Sequence, residues 1–324
     1  MLPRPIELVP ALAALAFVLL PACADDGTNN VAGGGGSTGT MVGNGGGPAV
    51  GGGADGGAQA TGGASQSATF AEMCASPGVV FCDAFEGSWD ATWIEDGGDV
   101  QIVDGAAVAG EGSSVVELST YESTQSSKLL RTFPDADSIY IRFDVQYADD
   151  YDNSGGSHGL ILGGSDAPPW GMLGTAGMKP NGSDFFVLNF EPVGEVGAGG
   201  ELGFYAYFVN MEISGDGNYW GNQFTTTASQ PALITPGQWQ CAEYGLTLND
   251  GDSDNGTASF WVDGAPQGTF EGFTWRTSDA LRLTTFALDS YNHMNNGPIP
   301  ATQPNRVRYD NLVISSEPVG CLSN

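Results

Sequence analysis

Acid–base chemistry in this sequence would depend on a few polar side chains near its middle. The 324 residues contain two histidines, and one of them, His158, lies in a glycine-rich stretch. β-Elimination next to a carboxylate needs a cation or donor for that carboxylate, a base for the adjacent proton and an acid for the leaving oxygen. Arg142 could neutralise the carboxylate and His158 could be the base. Tyr205 or Tyr207 could be the acid. The alternative is a structural role for His158, which is the commoner role of a lone histidine at a strand edge.

A second set of side chains has the composition of a sugar-binding surface. Pyranose rings stack on aromatic side chains, and their hydroxyls form hydrogen bonds with amides and carboxylates. Trp220 and Trp275 could provide such stacking, although both could equally pack in a core. Besides Tyr205 and Tyr207, the candidate carbohydrate-binding residues are Tyr140, Gln146, Tyr219, Trp220, Asn222, Gln223, Glu243, Trp275 and Arg276.

The sequence lacks the patterns that are typical of other enzyme classes. Retaining glycosidases of β-sandwich folds carry two carboxylates about 5 Å apart, but Glu191 and Glu243 are isolated and no E-x-D-x-x-E pattern occurs. Serine hydrolase, P-loop, HExxH and CxxC patterns are also absent. A glycoside hydrolase therefore ranks below a binding protein and a lyase.

Period-two patterns place these candidates on β-strands. Residues 238–264 form the clearest hairpin: Ala242, Tyr244 and Leu246 alternate with polar residues, and a turn rich in Asn, Asp and Gly precedes a second strand. Glu243 and Trp261 fall on the outer side of this hairpin. That arrangement predicts a sheet that presents its outer face to a ligand.

Short strands at close intervals indicate the fold class. No segment keeps a helical period over three turns. The pattern predicts an all-β domain at 69–324, a two-sheet antiparallel β-sandwich or jelly roll. The predicted strands are 79–84, 114–118, 128–133, 139–147, 159–162, 185–190, 202–209, 240–248, 258–262, 281–288 and 307–315.

The N-terminal region predicts export. Residues 1–22 have the apolar run of a signal peptide, and the sequence before Cys23 is similar to a bacterial lipobox, so Cys23 is the predicted lipidation site. Plain secretion is the alternative. Residues 23–68 are dominated by small residues and lack aromatics, which predicts a disordered tether. We expect an exported protein, lipid-anchored to a bacterial membrane and exposed at the cell surface or in the periplasm.

Charge and cysteine content restrict the partners and the covalent structure. Nine Lys and Arg against 38 Asp and Glu give a net charge of −29. This charge excludes a nucleic-acid partner and suits a soluble exported protein, which we expect to be a monomer.

Beyond Cys23 four cysteines remain, and an even number in an exported protein predicts two disulfides. Of three pairings, we favour Cys74 with Cys82 and Cys241 with Cys321.

Several motifs give the chain a family resemblance. They are FCDAFE at 81–86, YWGN at 219–222, W-x-C-x-E at 239–243, FWVDG at 260–264, WR at 275–276 and YDN at 309–311. Together they resemble concanavalin A-like jelly rolls, especially the polysaccharide-lyase-like branch that includes glucuronan lyases, over most of 79–321. The resemblance implies a structural calcium ion held by Asp83, Glu86 and Asp310, because hard cations prefer oxygen ligands.

Function is less determined than fold, since this superfamily contains lyases, hydrolases and lectins. The main hypothesis is a surface protein whose jelly roll binds an extracellular polysaccharide on a concave face. The alternative is a lyase that cleaves a polyuronate by β-elimination. A non-catalytic adhesive or structural surface protein is the third class.

Overall fold

The computed structural model describes residues 69–108, 112–194, 196 and 200–322. The predicted signal peptide, Cys23 and the predicted tether lie outside the described residues. Within the described part of the chain, no helix is both long enough and apolar enough to cross a membrane.

The described residues form one short helix and sixteen strands. The helix, α1 (Phe70–Cys74), begins with a capping box in which Thr69 and Glu72 bond to each other's backbone amides. The strands are β1 (Val79–Asp83), β2 (Ile94–Glu95), β3 (Asp99–Asp104), β4 (Ser114–Thr120), β5 (Ser126–Ala136), β6 (Ser138–Tyr147), β7 (Ser157–His158), β8 (Leu160–Ser165), β9 (Phe185–Val193), β10 (Glu201–Tyr207), β11 (Asn222–Phe224), β12 (Gln240–Thr247), β13 (Gly256–Val262), β14 (Ala265–Phe273), β15 (Leu283–Asn292) and β16 (Asn305–Ser315).

Two antiparallel sheets contain all of these strands. Sheet A has the order β14-β13-β12-β6-β16-β4-β3, and β1 also pairs with β16. Sheet B has the order β11-β10-β9-β8-β15-β5-β2, and β7 also pairs with β15. Sequence neighbours such as β12 and β13 form hairpins, but β6 pairs with β12 and β16, which are distant in sequence. The predicted two-sheet antiparallel sandwich is confirmed.

The core lies between the sheets and follows the predicted alternation. On β6 the residues Ile139, Ile141, Phe143 and Val145 are buried between the sheets. Aromatic rings from both sheets meet there, with ring centroids 4.8–6.3 Å apart, which is the usual range for aromatic pairs. The residues of this cluster are Phe143, Phe190, Phe204, Tyr244 and Phe260.

Each of the eleven predicted strands overlaps a strand of the structure, and the strands that the sequence did not predict are mostly at sheet edges. β3 and β14 end sheet A, and β2 and β11 end sheet B. An edge strand is covered on fewer sides, so it needs less apolar alternation and tolerates residues such as Pro266 in β14. The fifth strand missed, β7, has only two residues.

The two favoured disulfides are both present. Cys74 bonds to Cys82 and ties α1 to β1. Cys241 bonds to Cys321 and holds the C-terminal segment against β12. The backbone amides of Val319 and Gly320 then donate to the Glu243 carboxylate, which covers the outer face of sheet A at this point.

Candidate active site

An open cleft of about 350 Å³ lies on the outer face of sheet B. Strands β5, β7, β8, β9, β10 and β15 form its floor, and the segment that connects β8 to β9 forms a wall. The lining residues are Ser126, Lys128, His158, Ile161, Met172, Leu173, Gly174, Thr175, Ala176, Val187, Asn189, Tyr205, Tyr207, Asp289, Tyr291 and His293.

Strand parity explains why polar side chains reach this cleft. On β10, Leu202, Phe204 and Ala206 face the core, so Tyr205 and Tyr207 must face outward. Asn189, in the neighbouring strand β9, is the direct cross-strand partner of Tyr205 and shares this outer face. The same alternation that builds the core therefore also builds the polar floor.

His158 is the most connected side chain of the cleft. Its Nδ1 lies 2.8 Å from Oε2 of Glu191, a buried residue on the same outward-facing side of β9 as Asn189. Its Nε2 lies 3.0 Å from Nε2 of His293. The rings of Tyr205 and Tyr291 stack against the imidazole at centroid distances of 4.9 and 5.9 Å. These contacts fix the orientation of the ring and select the tautomer that carries its hydrogen on Nδ1.

The two histidines have opposite electrostatic environments. Burial alone would lower the pKa of His158, but the hydrogen bond and charge of Glu191, with the charge of Asp289, raise that pKa above its ordinary value. Burial and the neighbouring His158 lower the pKa of His293. His158 is thus the better proton acceptor of the pair, and His293 is the one that stays neutral.

Tyr205 is held as a proton donor. Burial and the hydrogen bond with Tyr207 raise the pKa of Tyr205, so its hydroxyl keeps the proton. The hydroxyls of Tyr205 and Tyr207 are 3.3 Å apart, and the backbone amide of Gly221 donates to the Tyr205 oxygen at 2.8 Å. Only glycine fits at position 221, because a Cβ there would lie 2.6 Å from the Tyr205 ring.

A buried ion pair lies on the other side of the cleft. Lys128 Nζ is 3.7 Å from Oδ2 of Asp289, and the two residues are direct partners on β5 and β15. Burial raises the pKa of Asp289 to about 6, although Lys128 and His158 counteract the shift. Lys128 is the one Lys or Arg among the described residues that line this cleft.

Arg142 lies in the other sheet, so its predicted role with His158 is wrong. Its side chain is 1% exposed on the outer side of β6, in sheet A. Its guanidinium makes a bidentate pair with Asp144 and also donates to the carbonyl of Asn311. Arg142 and His158 both lie on outer faces, but the outer faces of the two sheets point away from each other.

Three predicted sugar-binding residues lie on this outer face of sheet A, away from the cleft. Glu243 is 3% exposed and bonds to the C-terminal segment, and burial raises its pKa. Gln146 bonds to Arg308 and to the carbonyl of Gly237, and Tyr140 packs against Trp261. The prediction that this hairpin presents Glu243 to a ligand is therefore wrong, because the C-terminal segment covers that residue.

Trp275 and Arg276 are core residues instead of surface residues. Trp275 is fully buried against Phe186, Phe208 and Phe273. The Arg276 guanidinium is 2.9 Å from Asp137 and also donates to a backbone carbonyl. Both side chains complete the packing at one end of the sandwich, away from the cleft lining.

The other predicted sugar-binding residues lie near the cleft. Trp220 is 38% exposed, with its indole nitrogen bonded to Asp216. Tyr219 bonds through its backbone to Gly177 on the opposite wall segment, and Gln223 pairs with Tyr205 across β10 and β11. Asn222 pairs with core-facing Ala206, accepts a hydrogen bond from the backbone of Glu212 and lines a separate pocket. Trp220 and Gln223 are therefore the members of this group that lie next to Gly221 and Tyr205.

The predicted calcium ligands bind backbone amides. Asp83 accepts from the amides of Phe85 and Asp90 and from the indole of Trp93, so it does not fit a metal ligand. The carboxylates of Asp310 and Glu86 accept hydrogen bonds from the backbone amides of Val108 and Ser113, which lie between β3 and β4. Among the described residues, no group of three or more His, Cys, Asp or Glu is arranged to hold a metal ion. Calcium itself stays a prediction.

Sequence reasoning missed several residues of the cleft. It named Glu191 only as an isolated carboxylate, and it did not place Lys128, Asn189, Asp289 or Tyr291 at a site. His293 carried one usable signal, because it is one of two histidines in the sequence.

Comparison with solved structures gives a fold likeness. The marine PL-14 alginate lyase from Aplysia kurodai matches 74% of this chain and 99% of its own, at a TM-score of 0.55 and 14% identity. A mutant of the alginate lyase Aly36B in complex with an alginate tetrasaccharide matches 63% of this chain and 81% of its own, at a TM-score of 0.50 and 17% identity. No family model and no curated protein matches the sequence. The chain therefore shares the jelly-roll fold of these two alginate lyases.

Proposed function

We propose that the cleft on sheet B binds a uronic-acid-containing polysaccharide and cleaves it by β-elimination. The observation that carries this proposal is the position of His158, oriented by Glu191 and stacked on Tyr205 in an open cleft. An imidazole and a protonated acid lie side by side, as proton transfer requires. The fold likeness to two alginate lyases is consistent with this chemistry, but fold alone does not fix a reaction.

Each of these residues has a separate role in the proposed reaction. His158 accepts the C5 proton, and the electrons of that C–H bond form the C4–C5 double bond. The bond between C4 and the bridging oxygen breaks, and Tyr205 donates its proton to that oxygen. Asn189 and Lys128, which also line the cleft, supply the donor and the cation for the uronate carboxylate in place of Arg142.

Protonation states in the cleft suit these roles. The raised pKa of Tyr205 keeps its proton available for the leaving oxygen. His158 donates its Nδ1 hydrogen to Glu191, so the basic lone pair of the neutral ring is on Nε2. That lone pair accepts from His293 in the free protein, so substrate binding must displace this contact.

Ultraviolet absorbance of the unsaturated product tests the proposal directly. The protein is incubated with a panel of polyuronates, and Tyr205→Phe and His158→Gln are compared with the unchanged protein. Loss of a general acid or base is expected to slow cleavage by about 10²–10⁴-fold. Tyr140→Phe is the matched control, because Tyr140 packs on the opposite sheet and its loss is expected to leave the rate unchanged.

Absence of product with all polyuronates would remove the lyase proposal. Equal slowing by Tyr140→Phe and Tyr205→Phe would also contradict it, since that result would indicate a general loss of structure.

Binding without cleavage is the second candidate function, and exposed Trp220 favours it. Its indole is fixed by Asp216 at the rim of the cleft, where a sugar ring could stack. Affinity electrophoresis in polysaccharide gels is expected to show retardation that Trp220→Ala reduces. Retardation without any product would support binding alone.

We also propose that the domain is displayed outside the cell. The apolar segment before Cys23 and the disulfide-bonded cysteines favour an oxidising compartment and a lipid anchor. Mass spectrometry of the membrane fraction is expected to find acylated Cys23. An unmodified chain in the medium would support plain secretion instead.

A further inference from the structure

The imidazoles of His158 and His293 face each other across the mouth of the cleft. Their Nε2 atoms are 3.0 Å apart, with ring planes at 75° and centroids 4.8 Å apart. Two imidazole nitrogens at this distance share a single proton, so one ring donates and the other accepts. The same two atoms are the usual nitrogen ligands of transition metals in proteins.

We propose that His158 and His293 form a binding site for one divalent transition-metal ion, such as Zn²⁺ or Cu²⁺, which replaces the shared proton between their Nε2 atoms. Two protein ligands come from the cleft, and water completes the coordination shell. The binding itself does not depend on the proposed lyase function.

The distance between the two nitrogens is close to what a metal needs. Zn–N bonds of about 2.0–2.1 Å at a tetrahedral angle place two nitrogens about 3.3–3.4 Å apart. The present contact therefore has to open by a few tenths of an ångström, with a tilt of the His293 ring that directs its lone pair to the ion. His293 is exposed and follows the end of β15, so it can make this adjustment while His158 stays fixed.

Glu191 supplies the outer contact that metal-binding histidines usually have. A histidine ligand commonly donates its second ring hydrogen to a carboxylate, which orients the ring and increases the basicity of the ligating nitrogen. The 2.8 Å contact between His158 Nδ1 and Glu191 Oε2 has this geometry, and it leaves Nε2 for the ion.

The donor set determines which ions fit. Imidazole nitrogens prefer Cu²⁺, Ni²⁺ and Zn²⁺, whereas Ca²⁺ and Mg²⁺ prefer oxygen ligands. The described residues contain no third His, Cys, Asp or Glu in a metal-binding group with these two. The site is therefore open and exchangeable, in contrast to a closed structural site with four protein ligands.

Occupation of this site has a consequence for catalysis that rests on the proposed function. The ion would use the same Nε2 lone pair that His158 needs to accept the C5 proton. Zn²⁺ is then expected to inhibit cleavage, and a chelator is expected to restore it.

Calorimetric titration of the metal-free full-length protein with Zn²⁺ at about pH 8, above the ordinary histidine pKa, tests the binding. His293→Ala is expected to lose one bound ion per chain relative to the unchanged protein, whatever other groups bind. Glu191→Gln is expected to weaken the same site by about 10–100-fold. Asp216→Asn, which removes an exposed carboxylate outside the cleft lining, is the control and is expected to bind as before. Spectra of bound Cu²⁺ are expected to show two coordinating nitrogens.

The same stoichiometry in His293→Ala and the unchanged protein would overturn the site, and so would a Cu²⁺ spectrum without histidine nitrogens. Because His293 is exposed, this variant is expected to fold, and its melting temperature checks that. Metal binding in a protein that cleaves no polyuronate would leave the site standing and would remove only the proposed lyase function.

Discussion

At the scale of single residues, the cleft combines groups whose environments shift their proton affinities in different directions. Glu191 raises the pKa of His158, and burial raises the pKa of Tyr205. One group therefore accepts a proton more readily and the other keeps its proton more firmly. Such a pair of perturbed groups in a cleft is a common property of active sites, although structural networks produce it as well.

Glu191→Gln is expected to shift the pH dependence of cleavage. The base form of His158 is present above its pKa, so the rate rises with pH through that pKa. Glu191 raises the pKa, so its removal lowers the pKa and moves this limb of the profile to lower pH. Glutamine can still accept the Nδ1 hydrogen, which preserves the tautomer. Initial rates measured across pH test this, and an unmoved limb would contradict His158 as the base.

Arg142→Met is expected to destabilise the protein without changing the chemistry of the cleft. The substitution leaves Asp144 buried without its cation, which typically costs about 3–5 kcal/mol. Urea unfolding measures the loss, and the cleavage rate per folded molecule is expected to stay the same. Arg306→Met is the matched control, because Arg306 makes a more exposed contact and is expected to cost at most about 1 kcal/mol. A lost cleavage rate in folded Arg142→Met would restore the original assignment.

At the scale of elements, the two sheets use their outer faces differently. Strands β9 and β10 leave Asn189 and Tyr205 open to the cleft. Strands β6 and β12 have similar alternation, but the C-terminal segment covers Glu243. The Cys241–Cys321 disulfide holds that segment in place.

The two disulfides are expected to stabilise the fold unequally. Residues 241 and 321 are separated by 80 positions, and residues 74 and 82 by 8. A longer closed loop removes more entropy from the unfolded chain. Replacing Cys241 and Cys321 by serine is expected to cost about 2–5 kcal/mol in urea unfolding. Replacing Cys74 and Cys82 by serine is the control and is expected to cost less. The opposite order would show that loop entropy is not the main contribution.

At the scale of the whole molecule, the net charge of −29 opposes a polyanionic substrate. The described cleft lining offers Lys128 as its one Lys or Arg, and Lys128 is already paired with Asp289. Long-range repulsion is therefore expected to slow the approach of a polyuronate, whereas short-range contacts in the cleft would hold it.

Added salt is expected to lower the KM for a polyuronate substrate. Screening shortens the reach of the repulsion to about 8 Å at about 0.15 M ionic strength. KM is expected to fall as sodium chloride is raised from low concentration to this value, with kcat little changed. Steady-state kinetics at several salt concentrations measure both constants. A KM that rises with salt would indicate attraction, and it would contradict repulsion by the whole molecule.

The sequence by itself determined the all-β sandwich and eleven of the sixteen strands, because these follow from local alternation. The number of cysteines indicated two disulfides but allowed three pairings, and the tertiary structure decided between them. Alternation along each strand also assigns Arg142 and Tyr205 to outward-facing positions. Only the tertiary structure decided that they lie on different sheets, because strand pairing joins residues far apart in the chain. His158 and His293 are separated by 135 positions, and no local pattern predicts their contact. The same holds for the covering of Glu243, which depends on where the C-terminal segment packs.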